Sequence, residues 1–200
     1  MLCDGALRAH YRNRTDVHVR SDVFICHRNG DPEAKTVPEV FEVCGDVQVP
    51  QPSHGAWVTG MAPQLVMEVA PRSTHMKDRD EKRGTYEGMC VLEYWRFDPA
   101  GTLFRPPEYG ERVLGQRLGP SGRYEPIEPG QSGWARSEVL ELDFCDVDSR
   151  LGFWDYRQNR FLASHTEAEE ARRSAEAENV RLGALLAVAR GKADPGDQGR

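Results

Sequence analysis

The order of apolar and polar positions along the chain predicts a protein that begins with a helix and continues into several strands. Apolar residues recur at helical spacing over residues 2–12. Alternating or continuous apolar runs then predict strands over 16–26, 37–45, 63–70 and 91–98, with shorter strands within 99–130 and over 137–147 and 150–156. The run at 63–70 is apolar on both faces, which predicts a central strand.

Two further helices and one long loop complete this prediction. Residues 46–62 are rich in Pro and Gly and predict a surface loop. Residues 78–88, "DRDEKRGTYEG", predict a helix with acidic residues in its first turn and Gly88 as its C′ glycine. From His165 to about Val188 the sequence lacks Pro and is rich in Ala, Glu and Arg, which predicts a long helix outside the core. Helices that alternate with strands in this order indicate an α/β (α+β) fold around a central sheet.

Length and charge suit one domain with an appendage. The chain has 200 residues, of which 38% are hydrophobic and 29% charged, and its net charge is -6. We expect a domain over 1–164, a charged helix with coiled-coil character over 165–190 and a disordered tail over 191–200. The negative charge gives no general attraction to nucleic acid, but binding follows local charge, so a local basic groove remains compatible with it.

Cysteine usage and hydropathy indicate a cytoplasmic protein with no membrane partner. The five cysteines are odd in number and scattered, and no CxxC occurs. This pattern argues against a disulfide framework and against a zinc cluster. No stretch of eighteen apolar residues and no signal-peptide pattern is visible.

Two carboxylates stand inside apolar strands and are the first candidates for chemistry. Glu68 shares a strand face with Val66 and Ala70, where a carboxylate is unfavourable unless it is paired or binds a metal. Glu39 has a similar position in the preceding strand. If the two strands are neighbours, both carboxylates converge at one end of the sheet and form an oxygen site suited to Mg²⁺ or Mn²⁺.

A lysine completes this candidate site. Lys82 lies on the helix that follows the Glu68 strand, where it would position a water or stabilise charge on a phosphorane-like transition state. Asp78 lies one turn earlier on the same helix face. The spacing alone also fits a simpler interpretation, in which Asp78 and Lys82 form a solvated ion pair and Glu68 occupies a sheet edge.

Three segments resemble a known family and occur in its order. "VPEVFEV", "PQLVMEVAPRST" and "DRDEKRGTYEGMCVLEYWRFDP" resemble "APDVFVV", "PDLVIEVLSPST" and "DLGEKRALYARLGVREYWLFDP" of the Uma-type putative restriction endonuclease family, a bacterial branch of the PD-(D/E)XK nuclease superfamily. The resemblance covers roughly residues 5–165. It implies a restriction-endonuclease-like mixed β-sheet flanked by helices, and a metal-dependent endonuclease that acts on DNA.

The resemblance also implies roles for individual residues. Glu68 matches the family's second-motif glutamate, which is a metal ligand, and Lys82 matches its helix lysine. Tyr86 matches the family's helix tyrosine, which packs beside the site. Glu39 stands where the family has its first-motif aspartate and would be the second metal ligand.

Two departures from the family support an alternative function. Glu39 is longer than aspartate by one methylene, and a ligand moved by about 1 Å loses much of its effect. The chain also begins near the end of the family's first helix, which implies an N-terminal truncation. The alternative is a catalytically weak or inactive relative that serves as a binding or assembly module through the 165–190 helix. A homodimer is the expected assembly. A glycosidase-like or nucleotide hydrolase lacks support, because no carboxylate pair of defined separation is visible.

Overall fold

The computed structural model describes residues 3–21, 24–26, 31, 33, 35–38, 41–45, 53–55, 62–69, 76–101, 112–163 and 165–192. The chain divides into two compact units, Met1–Leu162 and Ala163–Arg200. The first unit holds the sheets and two helices, and the second holds the long C-terminal helix.

The elements follow one another in this order: α1 (Cys3–Tyr11), β1 (Val17–Arg20), β2 (Phe24–Cys26), β3 (Lys35–Thr36), β4 (Phe41–Gly45), β5 (Ser53–Gly55), β6 (Leu65–Val69), α2 (Met76–Gly88), β7 (Glu93–Phe97), β8 (Val113–Leu118), β9 (Tyr124–Pro126), β10 (Ala135–Ser137), β11 (Leu142–Val147), β12 (Arg150–Asp155), β13 (Arg160–Phe161) and α3 (His165–Lys192). The described strands form three sheets, with the orders β1-β4-β6-β7-β8-β9, β10-β11-β12-β13 and β3-β2-β5.

The six-stranded sheet is mixed, as predicted. Strands β6 and β7 run parallel and are joined through α2, whereas every other neighbouring pair in this sheet is antiparallel. Strand β6 lies third in the order, with β4 on one side and β7 on the other. The predicted central position of this strand is therefore confirmed. The second and third predicted strands are neighbours, which is the condition set above for their carboxylates to converge.

Successive residues of β6 serve two different cores, because side chains alternate between the faces of a strand. Leu65 and Met67 belong to a cluster with α1 and the four-stranded sheet, in which Trp95 stacks on Phe144 at a ring-centroid distance of 3.9 Å. Val66 belongs to a second cluster with Tyr86 of α2 and with residues of β2, β7 and β9. Helices thus cover both faces of the sheet, and Glu68 points to the α2 side.

Two predicted elements near the N-terminus were wrong. The strand expected over 16–26 is two strands, because β1 pairs with β4 in the large sheet and β2 pairs with β3 and β5 in the small one. The change from alternating to continuous apolar residues within this range marks the change of sheet. The loop expected over 46–62 contains β5, whose short "SHG" sequence carries no strand pattern.

The end of α2 also differs from the prediction. Gly88 is the last helical residue, and Cys90 adopts a left-handed conformation with φ of 58°. The amide of Val91 donates to the Tyr86 carbonyl at 3.1 Å, and the amide of Cys90 donates to the Glu87 carbonyl at 3.0 Å. This is the hydrogen-bond pattern of a Schellman motif in which Cys90 is the C′ residue.

The C-terminal helix α3 forms the second unit, and many of its apolar side chains are exposed. Val180 is 74% exposed, and Leu185 and Leu186 are more than half exposed. No helix among the described residues combines the length and the apolar content needed to cross a membrane. The prediction of a mixed sheet with flanking helices and a long C-terminal helix is confirmed.

Candidate functional site

Glu68 is a buried carboxylate that is held by two donors from α2. Its residue is 6% exposed, and its position near the end of β6 places it against the helix that follows. Lys82 Nζ lies 3.0 Å from Oε2, and the Tyr86 hydroxyl donates to Oε1 at 2.7 Å. Burial of a charged carboxylate is tolerated when such partners satisfy it. The simpler interpretation of Glu68 as a sheet-edge residue is wrong.

Lys82 is partly exposed to solvent and contacts both the Glu68 carboxylate and the chain before β4. Its side chain is 22% exposed, whereas that of Glu68 is 8% exposed. Its ammonium group also lies 3.4 Å from the Val37 carbonyl oxygen. Lys82 therefore lies between the buried carboxylate and solvent.

Tyr86 keeps its proton and holds Glu68 in place. Burial raises the pKa of Tyr86 well above its ordinary value, and the charge of Glu68 raises this pKa further. The hydroxyl is therefore a hydrogen-bond donor at all ordinary pH values. The Thr36 hydroxyl lies 3.5 Å from it and adds a contact from β3.

Arg96 is a residue of this site that the sequence interpretation did not identify. It pairs in register with Glu68 on the neighbouring parallel strand β7, which places both side chains on the α2 face of the sheet. Its guanidinium lies 6.0 Å from the Tyr94 ring centroid. A charge inside "YWRF" was the available signal, but the parallel register that brings it to Glu68 is not visible in sequence.

Two of the predicted site residues fall wholly or partly outside the described residues. Glu39 lies outside them, and Asp78 lies in α2 with a side chain outside them. The described neighbours of Glu39 are near the site, since Val37 contacts Lys82 and Phe41 pairs with Met67, the residue before Glu68. The structure therefore brings together Glu68, Lys82 and Tyr86.

Other buried carboxylates in the first unit are occupied by structural contacts. Glu87 accepts hydrogen bonds from the Tyr124 amide and from Arg123, both at 2.9 Å. Burial alone would raise the pKa of Glu87, but these two bonds and the charge of Arg83 outweigh it, so the pKa lies below its ordinary value. Glu93 is 1% exposed and accepts hydrogen bonds from Trp95, Ser137 and the Glu138 amide. Neither carboxylate lies open to a substrate.

The donor set at Glu68 fits a lightly coordinated hard cation. No group of three or more His, Cys, Asp or Glu side chains suited to a metal occurs within the part of the chain that the structure describes. Mg²⁺ is nevertheless commonly held by one or two carboxylates, with water and substrate phosphate as the remaining ligands. One buried carboxylate with a partly exposed lysine beside it is compatible with that kind of site.

Comparison with known families decides the assignment. The profile of the Uma2 family, whose description is "Putative restriction endonuclease", matches residues 4–148. The chain belongs to this family. Its description assigns nuclease function in general terms, and DNA is the substrate that it suggests. The match includes β6 and α2, so the Glu68, Lys82 and Tyr86 cluster lies within the family domain.

A solved structure illustrates the similarity of this chain to known proteins. It is the crystal structure of a putative nuclease from Anabaena variabilis, with 11% sequence identity and a TM-score of 0.46. The similarity covers 69% of this chain and 69% of that chain. No curated protein sequence matches the chain. The family assignment therefore rests on the profile match.

Proposed function

We propose that this protein is a Mg²⁺- or Mn²⁺-dependent DNA endonuclease whose reaction centre is Glu68. The observation that carries the proposal is the buried Glu68 carboxylate, with Lys82 Nζ at 3.0 Å and the Tyr86 hydroxyl at 2.7 Å. A structural ion pair needs no solvent opening, yet Lys82 is 22% exposed. Membership of a family of putative restriction endonucleases supports the same conclusion.

In this proposal Glu68 and Glu39 hold the divalent cation. When bound, such a cation polarises a phosphodiester and lowers the pKa of a coordinated water. Glu68 contributes a fixed, buried oxygen. Glu39 lies outside the described residues, two positions along the chain from Val37 and two from Phe41. Asp78 is assigned a supporting role on α2.

Lys82 acts at the open side of the site. Its ammonium group is positioned to hold the attacking water or to stabilise negative charge that develops on the phosphoryl oxygens. In the free protein it is paired with Glu68 Oε2, which keeps the lysine in place before substrate arrives. Tyr86 is a positioning residue, because it contacts the ligand carboxylate and has no proposed contact with the substrate.

The test is nicking of supercoiled plasmid in the presence of Mg²⁺ or Mn²⁺. We expect the parent to nick the plasmid, and Glu68→Gln and Lys82→Met each to lose at least about 100-fold in rate, since each removes a group that acts in the transition state. Glu138→Gln is the matched control, because Glu138 is a 70% exposed carboxylate far from α2 in sequence. A Glu68→Gln protein as active as the parent would overturn the proposal.

The second candidate function is a binding or assembly module without catalysis. It is favoured by the exposed apolar residues of α3, in particular Val180, Leu182, Leu185 and Leu186. The proposed occupant of this surface is a second copy of the chain, because two-fold dimers are the commonest assembly. Light scattering on the parent and on Leu182→Glu/Leu185→Glu tests it. A monomeric parent contradicts the dimer, and metal-dependent nicking by the parent contradicts the non-catalytic function.

A further inference from the structure

A basic pocket lies at the edge of the six-stranded sheet, between the C-terminal part of α1 and strand β1. Its volume is about 320 Å³. Four of its lining residues are arginines, and a histidine joins them: Arg8, Arg12, Arg14, Arg20 and His18. The protein as a whole carries a net charge of -6, so this concentration of positive charge is local. We call these residues the α1–β1 basic pocket.

Neighbouring acids neutralise only part of this charge. Arg14 forms a two-bond pair with Asp16, both bonds at 2.6 Å, and Arg8 lies 3.6 Å from Asp4. Arg12 makes no hydrogen bond or ion pair with any residue that the structure describes, so it adds a positive charge that no described acid balances. A pocket of this kind attracts a ligand with several negative charges.

His18 adds an independent sign of a missing ligand. Its Nε2 atom is buried and has no hydrogen-bond partner among the described residues. A buried polar atom without a partner costs about 1–3 kcal/mol, so a ligand oxygen that accepts a hydrogen bond from it would recover part of that free energy. Phosphate oxygens are acceptors and also carry the charge that the arginines match.

At the β1 edge, the residues that line the pocket lie on both faces of the sheet. Val17 and Val19 pack against the core on the α1 side, so His18 and Arg20 point to the opposite face, because side chains alternate along a strand. That opposite face is the α2 side. Only β4 separates β1 from β6, so the lateral spacing between β1 and β6 is about 10 Å. The strand register places Arg20 level with Val66, two residues before Glu68, and His18 two residues further away along the sheet. A continuous nucleic-acid backbone covers this separation over a few nucleotides.

We infer that the α1–β1 basic pocket holds the phosphodiester backbone of duplex DNA at the β1 edge of the sheet, a few nucleotides from the one that is cut at Glu68. The inference rests on the proposed function. Phosphate contacts of this kind position the duplex without reading its sequence. Arg12 and Arg8 would contact backbone phosphates from α1, and Arg20 would continue the positive surface toward the Glu68 face.

The test is binding of a short fluorescein-labelled DNA duplex by the full chain in EDTA. Binding is measured by fluorescence anisotropy at a series of salt concentrations. Cleavage does not occur without metal, so binding is measured independently of catalysis. Arg8→Gln/Arg12→Gln removes two charges from exposed positions, where folding is not at risk. We expect weaker binding. We also expect the slope of the logarithm of the binding constant against the logarithm of salt concentration to be shallower by about 0.9 for each phosphate that is no longer neutralised. Arg12→Lys keeps the charge and should keep most of the slope.

Arg172→Gln/Arg181→Gln on α3 is the matched control. It removes the same charge, and its arginines have ion-pair partners on their own helix, as Arg8 does. The inference is overturned if the pocket and control variants lose affinity equally, if the pocket variant binds like the parent, or if the parent binds an RNA duplex but no DNA duplex. A parent that binds DNA through the pocket but never nicks plasmid would support this inference and contradict the proposed catalysis.

Discussion

At the scale of single residues, the environment of Glu68 explains how a carboxylate survives inside an apolar strand. Each of its oxygens has a donor, Lys82 on one and Tyr86 on the other. The two donors stand four residues apart on α2, so they share one helix face and approach the carboxylate together. This arrangement fixes the carboxylate orientation, which is what a metal ligand requires.

Replacing Tyr86 with Phe should separate positioning from folding. The change removes the 2.7 Å hydrogen bond to Glu68 and leaves the ring in the core. We expect a loss of about 1–2 kcal/mol in the free energy of unfolding. We also expect the metal affinity or the nicking rate to fall by about 10- to 100-fold. Loss of a residue that hydrogen-bonds to a metal ligand has effects of this size.

Tyr124→Phe is the control for that experiment. Tyr124 lies in the same aromatic cluster, and its hydroxyl donates to the Val91 carbonyl at 2.9 Å, away from Glu68. Tyr124→Phe should lower the free energy of unfolding by about as much as Tyr86→Phe does, and should leave the metal affinity unchanged. Equal losses of metal affinity in both variants would show that Tyr86 acts only through the general stability of the core.

Much of this residue pattern is readable from sequence, and part of it is not. A lone glutamate in "LVMEV" requires a partner or a metal, and this pattern singled out Glu68 and Lys82 as candidates. The ion pair between them is a finding of the structure. Arg96 was missed, because its position opposite Glu68 depends on the register of two parallel strands. Register between strands separated by a helix is set by tertiary packing and leaves no local pattern.

At the scale of elements, the end of α2 is a place where the sequence misleads. Gly88 has the residue type of a helix terminator, yet the left-handed residue is Cys90. A non-glycine residue in that conformation costs about 1–2 kcal/mol, and Gly inside a helix costs up to about 1 kcal/mol relative to Ala. The tertiary packing of Val91 in the aromatic cluster determines where the helix stops.

Two substitutions test the assignment of Cys90 as the C′ residue, because each is expected to raise the free energy of unfolding. Cys90→Gly should raise the free energy of unfolding by about 1 kcal/mol, because it removes left-handed strain. Gly88→Ala should also raise it, by about 0.5–1 kcal/mol, since Gly88 is helical and nothing lies within 4 Å of the added Cβ. Urea unfolding measures both. A destabilising Gly88→Ala would mean that Gly88 is the C′ residue after all.

Glu93 joins the six-stranded sheet to β10 of the four-stranded sheet and to the residue that follows β10. Its carboxylate accepts from Trp95 Nε1 at 3.0 Å, from the Ser137 hydroxyl at 2.6 Å and from the Glu138 amide at 2.8 Å, and it pairs with Arg117 at 3.1 Å. Glu93 is 1% exposed, so its donors have no water to replace it. Removal of its charge leaves them with a neutral acceptor that forms weaker hydrogen bonds.

Glu93→Gln should therefore lower the free energy of unfolding by about 3 kcal/mol, which is typical of a broken buried ionic network. Glu138→Gln serves as the control, because Glu138 pairs with the same arginine but is 70% exposed. Its effect should stay within about 0.5 kcal/mol. If urea unfolding gives similar values for the two variants, the buried network does not hold the sheets together.

At the scale of the whole molecule, the mixed sheet and its helices were predictable, and the small sheet was not. Strands β6 and β7 and the helix between them are apolar or periodic over enough residues to be recognised in sequence. The strands of the three-stranded sheet are two or three residues long, and β5 pairs with β2 across almost thirty residues of chain. Such short pairings depend on contacts that no local pattern records.

We propose that the Glu68 carboxylate is the fixed point of a metal-dependent nuclease site. The most direct measurement is calorimetric titration of Mg²⁺ and Mn²⁺ into the parent, into Glu68→Ala and into the exposed control Glu138→Ala. We expect metal binding by the parent and by Glu138→Ala, and none by Glu68→Ala. Equal binding by the parent and Glu68→Ala, or no binding by the parent, would contradict this role of Glu68.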